Sequence, residues 1–247
     1  MSAPLFLLPG GALEGTVVGA ELVLDGDEGR HAADVARVRP GEPVLLADGS
    51  GAVASCEASE AGKGRLVARV LSLHREPEPS PRFTLVQALA KADRDLLAIE
   101  VATELGVDEV LPWAAARSVV RWRGERAGKA HAKWQRTLVA ATKQARRARV
   151  PRLAPLAGRE DVAARVAGAD LALVLHEEAT EPLAAVTVPD GGEVLLVVGP
   201  EGGISPDETE AFVAAGARTV RLGATVLRTS TAGSAALAVL LARTRWR

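Results

Sequence analysis

The sequence has one cysteine, four scattered histidines and no long apolar run. The single cysteine, Cys56, excludes an internal disulfide and a cysteine-rich metal site, and the histidines lack the spacing of metal ligands. Charges or glycines interrupt the apolar runs, which argues against a membrane-spanning helix. The first eleven residues, MSAPLFLLPGG, have no basic start and too short an apolar stretch for a signal peptide. These absences predict a cytoplasmic protein without a metal or a membrane partner.

The chain is long enough for two domains, since 247 residues with 48% apolar content can bury one large core or two smaller ones. The segment EPEPSP, residues 76–81, has three prolines at alternate positions, which remove backbone donors and hold a chain extended. It is a predicted linker. The part before it, residues 1–75, contains four short strand patterns and one helical stretch, which predict a small β-barrel. The strands are expected at 21–25, 43–48, 51–59 and 65–74, and the helix at 29–38.

Strand and helix patterns alternate after the linker, which predicts an α/β domain over 82–247 with a parallel sheet between layers of helices. The strands are expected at 83–89, 108–113, 170–176, 193–199 and 218–223, and the helices at 93–106, 128–148, 160–167, 206–215 and 230–244. Ligands of such sheets bind outside the carboxyl ends of the strands. Three of these ends finish in polar or glycine residues: Leu175-His176, Val198-Gly199 and Leu222-Gly223.

The segment LLVVGPEGGISPDE, residues 195–208, is a glycine loop that matches neither common phosphate signature. A P-loop needs Lys and then Ser or Thr after its last glycine, whereas Gly203 is followed by Ile204. The glycine spacing also differs from the dinucleotide fingerprint. Gly202 and Gly203 allow close approach of a flat or neutral group, and the alternative is a tight turn without a ligand.

A capping box is predicted at the helix that follows this loop. Ser205 is the expected cap, Pro206 suits the first helical position, and Glu208 stands three residues after the cap. Asp207 and Glu208 would repel an anion, so the predicted ligand is not strongly anionic.

Arg228 stands before a Ser/Thr cluster in RLGATVLRTSTAGSAAL, residues 221–237. The cluster, through Thr229, Ser230 or Thr231, is expected to cap the last helix. An ion pair with Glu201 is the alternative role for Arg228. The small residues of TAGSAALA favour close packing against another helix or another subunit.

Residues 117–152 contain twelve basic side chains and one acid, Glu125, so this basic segment carries +11 and the rest of the chain −12. Trp113, Trp122 and Trp134 lie in it or beside it, and aromatic residues among cations suit stacking on nucleic-acid bases. The segment predicts a surface that faces RNA or DNA. The alternative is a solvated helix with tryptophans in the core.

Two motifs, GPEGGISPDE and LGATVLRTSTA, resemble the last motifs of the SPOUT methyltransferases, whose C-terminal chain forms a trefoil knot. Within that superfamily the chain resembles the RsmE family, which methylates N3 of a uridine in 16S ribosomal RNA with S-adenosylmethionine. The stretches GRHAADVARVRPGEPVLLADGSG, QALAKADRDLLAIEVATELGVDEVLPWAAARSVVRW and ATKQARRARVP also match this family. Ser230 departs from it, because an acid is usual at that position.

The resemblance implies a PUA-like β-barrel domain over 1–75 and a SPOUT α/β trefoil-knot domain over 82–247, with a homodimer and 16S rRNA of the small ribosomal subunit as partner. Arg228 would stabilise negative charge on the uracil, and Glu201 or His176 would act as base, with Glu201 the expected catalytic residue of the two. The residues implied for cofactor binding are Leu175, His176, Val198, Gly199, Pro200, Glu201, Gly202, Gly203, Leu222, Gly223, Val226 and Leu227. Those expected to bind RNA are Arg117, Arg121, Arg123, Lys133, Lys143, Arg146 and Arg147.

Two other functions remain open on the sequence. One is methylation of a ribose 2′-hydroxyl by a SPOUT enzyme. The other is RNA binding without catalysis by a ribosome-assembly factor that uses the barrel and the basic segment.

Overall fold

The computed structural model describes residues 3–247, so Met1 and Ser2 of the segment inspected for a signal peptide lie outside it. The chain divides into two compact units. The first contains the residues up to 78 together with 142–150, and the second contains 79–141 and 151–247. The boundary falls inside the predicted linker 76–81. The assignment of 142–150 to the first unit differs from the continuous domain predicted over 82–247.

The first unit is a five-stranded sheet with a short helical segment. Its elements are β1 (Leu5–Leu7), β2 (Glu21–Leu24), α1 (Gly26–Arg30), a π-helical turn (His31–Val35), β3 (Pro43–Ala47), β4 (Ala52–Gly62) and β5 (Arg65–Arg75). The strand order is β1-β3-β4-β5-β2; β1 pairs with β3 in parallel and the other pairs are antiparallel. Phe6, Leu24, Leu46 and Leu66 are fully buried in its core. The predicted helix 29–38 thus begins earlier and ends in the π-helical turn.

A tight hairpin turn joins β3 to β4. Oδ1 of Asp48 accepts hydrogen bonds from the amide and the hydroxyl of Ser50, both at 2.8 Å. Gly49 and Gly51 have φ of 72° and 105°, in the region that favours glycine. The two glycines therefore form the turn of this hairpin.

Segment 142–150 is bonded to the first unit through its basic side chains. Arg149 donates to the carbonyl oxygens of Ser50 at 2.6 Å and Glu76 at 2.8 Å, and Lys143 donates to Glu28. Arg146 has φ of 54°, a left-handed conformation that cannot continue an α-helix. The helix predicted over 128–148 accordingly ends at Gln144.

The second unit is a six-stranded, wholly parallel sheet of order β11-β9-β10-β6-β7-β8. Its elements are β6 (Arg82–Ala88), α2 (Arg94–Leu105), β7 (Glu109–Trp113), α3 (Glu125–Gln144), β8 (Arg152–Leu153), α4 (Arg159–Gly168), β9 (Leu171–Leu175), β10 (Glu193–Val198), α5 (Pro206–Ala214), β11 (Arg218–Val220) and α6 (Thr229–Ala242). The central strands β6 and β10 are buried along almost their whole length because helices cover both their faces. The strand predicted to reach 223 ends at Val220, and the two-residue β8 has no sequence signal.

Small residues of α6 let this helix lie close to its own sheet. A Cβ at Gly233 would be 3.0 Å from Leu85 Cδ1 and 3.2 Å from Val198 Cγ2, so a larger residue would push α6 away. The small-residue motif is thereby explained in part by packing within one chain.

A charged network ties together the amino ends of the central strands. Glu109, with a side chain 9% exposed, accepts hydrogen bonds from Arg152 at 2.8 and 3.0 Å and from Arg165 at 2.7 Å. Arg165 also donates to Glu193 at 2.6 Å. Burial raises the pKa of Glu109, but the bonds and charges of the two guanidinium groups outweigh it and hold this pKa below its usual value.

We expect Glu109→Gln to lower the free energy of unfolding by about 1.5–3 kcal/mol at neutral pH, because two guanidinium groups lose their charged acceptor. A carboxylate whose pKa is lower in the folded state than in the unfolded state stabilises the fold above its unfolded-state pKa. This contribution is lost as the pH falls through its folded-state pKa. The difference between wild type and variant should therefore shrink below about pH 4. Urea unfolding at several pH values measures it, and a pH-independent difference would contradict this assignment.

Candidate active site

A cleft of about 960 Å³ lies at the carboxyl ends of β9, β10 and β11 in the second unit. It is where a parallel sheet is expected to bind a ligand. Arg228 and all twelve residues expected to bind the cofactor line it: Leu175, His176, Val198, Gly199, Pro200, Glu201, Gly202, Gly203, Leu222, Gly223, Val226 and Leu227.

The glycine loop after β10 requires glycine for two different reasons. Gly203 has φ of 73°, which side chains other than glycine rarely adopt. A Cβ at Gly199 would lie 2.6 Å from Ile204 Cγ1, and one at Gly202 would lie 3.1 Å from Arg117 Cβ. Gly202 thus allows the segment that carries Arg117 to lie against the loop.

The predicted capping box of α5 is confirmed. Ser205 is the N-cap and accepts from the Glu208 amide, while Glu208 Oε2 accepts from the Ser205 amide at 3.0 Å. Glu208 is 3% exposed, and its other oxygen accepts from the Ala116 amide at 2.7 Å. The glycine loop, α5 and the segment after β7 are thereby joined.

Thr229 joins α6 to two strand ends. Its hydroxyl donates to the Gly199 carbonyl at 2.7 Å and accepts from the fully buried Gln87 amide at 2.9 Å. Arg228 is the N-cap of α6 and makes no side-chain cap, so the predicted capping by Thr229, Ser230 or Thr231 is wrong. Instead of capping the helix, the Thr229 hydroxyl fixes the backbone that carries Arg228.

The guanidinium of Arg228 is exposed and makes no hydrogen bond or ion pair within residues 3–247. Glu201 pairs with Arg94 at 3.0 Å and accepts from the Lys91 amide at 3.2 Å. The alternative ion pair between Arg228 and Glu201 is therefore wrong. Burial raises the pKa of Glu201, but hydrogen bonds from its own amide, from Lys91 and from Arg94 outweigh it and lower this pKa.

His176 is held at the end of β9. Its amide donates to the Val220 carbonyl at 2.9 Å, and its Nδ1 lies 3.2 Å from the Glu178 amide, which donates to it. A neutral ring that accepts at Nδ1 carries its proton on Nε2. In this arrangement the free nitrogen of His176 is a donor.

The loop 222–227 contributes five of its six residues to the lining of the cleft. None of its amides donates a hydrogen bond to protein in the described part of the chain, and its apolar side chains Val226 and Leu227 are exposed. Uncharged donors beside apolar surface suit a flat ligand with polar edges, such as an adenine ring.

The predicted RNA-binding residues do not form a single surface of one unit. Arg117, Arg121, Arg123 and Lys133 belong to the second unit, and Lys143, Arg146 and Arg147 to the first. Some of these cations have protein partners: Arg121 donates to the Ala115 and Ala116 carbonyls at 2.6 and 2.8 Å, and Lys133 pairs with Asp93 at 2.8 Å. Arg117 and Arg123 are exposed.

Two of the three tryptophans near the basic segment are core residues. Trp113 is fully buried and contacts Phe212 edge to face at 5.3 Å. Trp134 is 2% exposed and also contacts Trp122 edge to face, with 5.2 Å between the ring centroids. The core alternative is correct for Trp113 and Trp134, which leaves only the half-buried Trp122 partly accessible.

Sequence reasoning missed Arg94 and Arg221, which also line the cleft. Arg94 follows the carboxyl end of β6, an end that carries Lys91 and Asp93 and that the strand-end rule would have included. Arg221 lies next to the predicted Leu222. Within residues 3–247 no cluster of metal-ligating side chains occurs, and no helix is long and apolar enough to cross a membrane.

Comparison with known proteins adds independent findings. A family model described as "RNA methyltransferase domain" matches residues 76–241, and one described as "RNA methyltransferase PUA domain" matches 24–71. The chain is 50% identical over 240 residues to Ribosomal RNA small subunit methyltransferase E of Mycobacterium bovis, covering 92% of this chain and 89% of the relative. It is 29% identical to the Bacillus subtilis protein of that name, with 88% of each covered. A crystal structure of Ribosomal RNA small subunit methyltransferase E from Neisseria gonorrhoeae bound to S-adenosyl methionine superimposes with a TM-score of 0.86 at 30% identity, covering 98% of both chains.

Proposed function

Because the chain belongs to the RsmE family of RNA methyltransferases, with its SPOUT α/β domain and PUA-like domain, we propose that it methylates N3 of a specific uridine in 16S ribosomal RNA. The coarser activity, S-adenosylmethionine-dependent methylation of small-subunit ribosomal RNA, follows from the family. The observation that carries the finer proposal is that an unpaired Arg228 and the glycine loop line the same cleft.

The residues of the cleft fit S-adenosylmethionine. The cofactor supplies an electrophilic methyl group on its sulfonium. The unpaired amides of 222–227 and the apolar Leu175 and Leu227 would hold its adenosine part, and Gly199, Gly202 and Gly203 leave room beside the loop.

Arg228 would act on the nucleotide. Removal of the uracil imide proton places negative charge on the carbonyl oxygens, and a guanidinium aimed at those oxygens stabilises that charge. The side chain has all five of its N–H donors available, since no residue in 3–247 accepts from it. It remains charged at any physiological pH.

Glu201 is better suited to holding the loop in place than to accepting a proton. Its lowered pKa and its bonds to Lys91 and Arg94 make it a weak base. His176 presents a donor at Nε2 in the arrangement described. The general base is thus assigned to neither residue.

We expect Glu201→Gln to reduce turnover less than about tenfold and to leave the shape of the pH profile of kcat/KM unchanged, because an anchoring role does not titrate. The measurement is kinetics in RNA at saturating S-adenosylmethionine across pH 4–9, a range that extends below the usual pKa of a glutamate. Loss of the acidic limb in the variant would instead identify Glu201 as the base.

The assignment to N3 is tested by digesting RNA, methylated by the purified enzyme, to nucleosides for mass spectrometry. N3-methyluridine is the expected product. A 2′-O-methylated nucleoside would make the chain a ribose methyltransferase, and RNA binding without cofactor binding would make it an assembly factor.

We also propose a cytoplasmic homodimer, supported by the family resemblance and by exposed apolar side chains on the packed helix pair α2 and α6. Leu97 on α2 is 49% exposed, and Trp246, which follows α6, is 52% exposed. Light scattering during gel filtration would give the mass, and a monomer at micromolar concentration would contradict this part.

A further inference from the structure

Two arginines other than Arg228 lie against the glycine loop. Arg94, the first residue of α2, donates from Nη1 to Glu201 at 3.0 Å. Arg117, after β7, donates from Nη1 to the Gly202 carbonyl at 3.2 Å. Both line the cleft.

The backbone around Arg117 is fixed from several directions. The Ala116 amide is bonded to the buried Glu208, and Arg121 donates to the carbonyls of Ala115 and Ala116. Gly202 packs directly on Arg117, since a Cβ there would be 3.1 Å from Arg117 Cβ. The side chain of Arg117 is nevertheless exposed. A guanidinium held in this way is positioned before any ligand arrives.

The backbone before Arg94 is constrained as well. Ala92 and Asp93 have φ of 51° and 57°, a left-handed conformation that persists in non-glycine residues only where the surroundings enforce it. Lys91 donates its amide to Glu201, and Asp93 pairs with Lys133. The segment therefore delivers Arg94 to the loop in one conformation.

Each guanidinium uses only Nη1 on the loop, so Nε and Nη2 of both side chains have no partner within residues 3–247. Such a planar pair of donors matches an oxyanion, either a phosphodiester or a carboxylate. Four guanidinium groups and four carboxylates line the cleft, so its net charge does not select an anion and the donor geometry must do so.

We infer that Arg94 and Arg117 form a clamp for the phosphodiesters that flank the target nucleotide, so that the RNA strand crosses the glycine loop. The carboxylate of the cofactor would need one guanidinium, whereas two of them, followed along the chain by the exposed Arg123, suit a repeating anion. This inference rests on the proposed function, since it gives the RNA of that reaction its place in the cleft.

Binding measurements on the full-length protein test the clamp. Arg117→Ala should raise the dissociation constant for 16S rRNA about tenfold and reduce the slope of log affinity against log salt by about one, as expected for one lost phosphate contact. The dissociation constant for S-adenosylmethionine should stay within about twofold.

Arg94→Lys keeps a cation beside Glu201 but loses the planar donor pair, and should weaken RNA binding severalfold. The control is Arg159→Ala, which removes an exposed arginine paired with Glu160 in the same unit and should change neither constant.

Methylphosphonate substitution locates the contact. Replacing the flanking phosphates one at a time should weaken binding to wild type about tenfold at one or two positions, with no further loss in Arg117→Ala at the phosphate that Arg117 contacts. Equal losses in both proteins would overturn the clamp. A raised cofactor constant with unchanged RNA binding would assign the guanidinium groups to the cofactor carboxylate. Neither binding experiment requires turnover. If both gave the expected results but the wild-type protein formed no N3-methyluridine, only the proposed function would be overturned.

Discussion

Arg228→Lys is expected to lower kcat about a hundredfold or more and to leave the dissociation constant of S-adenosylmethionine within about twofold. Lysine keeps the positive charge but lacks the planar donors that meet a carbonyl oxygen in fixed geometry. If Arg228 stabilises charge that develops only during transfer, its loss belongs in kcat, and removal of one such donor commonly has an effect of this size.

Single-turnover kinetics and calorimetric titration separate the two constants. Arg218→Lys is the matched control, because Arg218 lies in the adjacent β11, pairs with Glu181 and does not line the cleft. A wild-type kcat with weaker cofactor binding in Arg228→Lys would make Arg228 a cofactor-binding residue and the catalytic assignment wrong.

Gly203→Val should weaken S-adenosylmethionine binding by about ten- to a hundredfold. At φ of 73° a β-branched residue is strained by about 1–3 kcal/mol, so the loop must leave the conformation that lines the cleft. The strain belongs to Gly203 and not to Gly202, whose requirement for glycine comes from the approach of Arg117.

Gly216→Val provides the control for backbone strain. Gly216 also has a positive φ, 108°, but it follows α5, and a Cβ there would meet nothing within 4 Å. Both variants should lower Tm to a similar extent, and only Gly203→Val should lose cofactor affinity. Equal S-adenosylmethionine affinities in the two variants would show that the glycine loop is not part of the cofactor-binding site.

Local patterns in the sequence predicted much of the second unit. The alternation of apolar runs and amphipathic stretches predicted a parallel sheet, and the Ser205–Glu208 capping box was confirmed. The strand ends that the sequence marked with glycine or polar residues also line one cleft, because parallel strands in one sheet present their carboxyl ends at the same edge. These features depend on residues within about four positions of each other or on the uniform direction of the strands.

Partner choice among the charged residues was decided by the tertiary structure. The sequence suggested Arg228 as a partner for Glu201, but Glu201 pairs with Arg94, 107 positions away. The basic segment was predicted to form one surface, yet its members between 142 and 150 belong to the first unit, where Arg149 and Lys143 satisfy acceptors of that unit. Sequence spacing carries no information about such distant acceptors.

The sequence by itself predicted the α/β fold class and the strand-end and glycine-loop residues of the cleft, because apolar periodicity, glycine positions and capping residues act locally, and its motifs identified the family. Only the tertiary structure decided that Trp113 and Trp134 are buried, that Arg94 and Arg117 lie on the glycine loop, and that Arg228 is left without a partner. Burial and pairing depend on which distant segments meet in space, and the free energy of a charge depends on the partners and the solvent that it finds there.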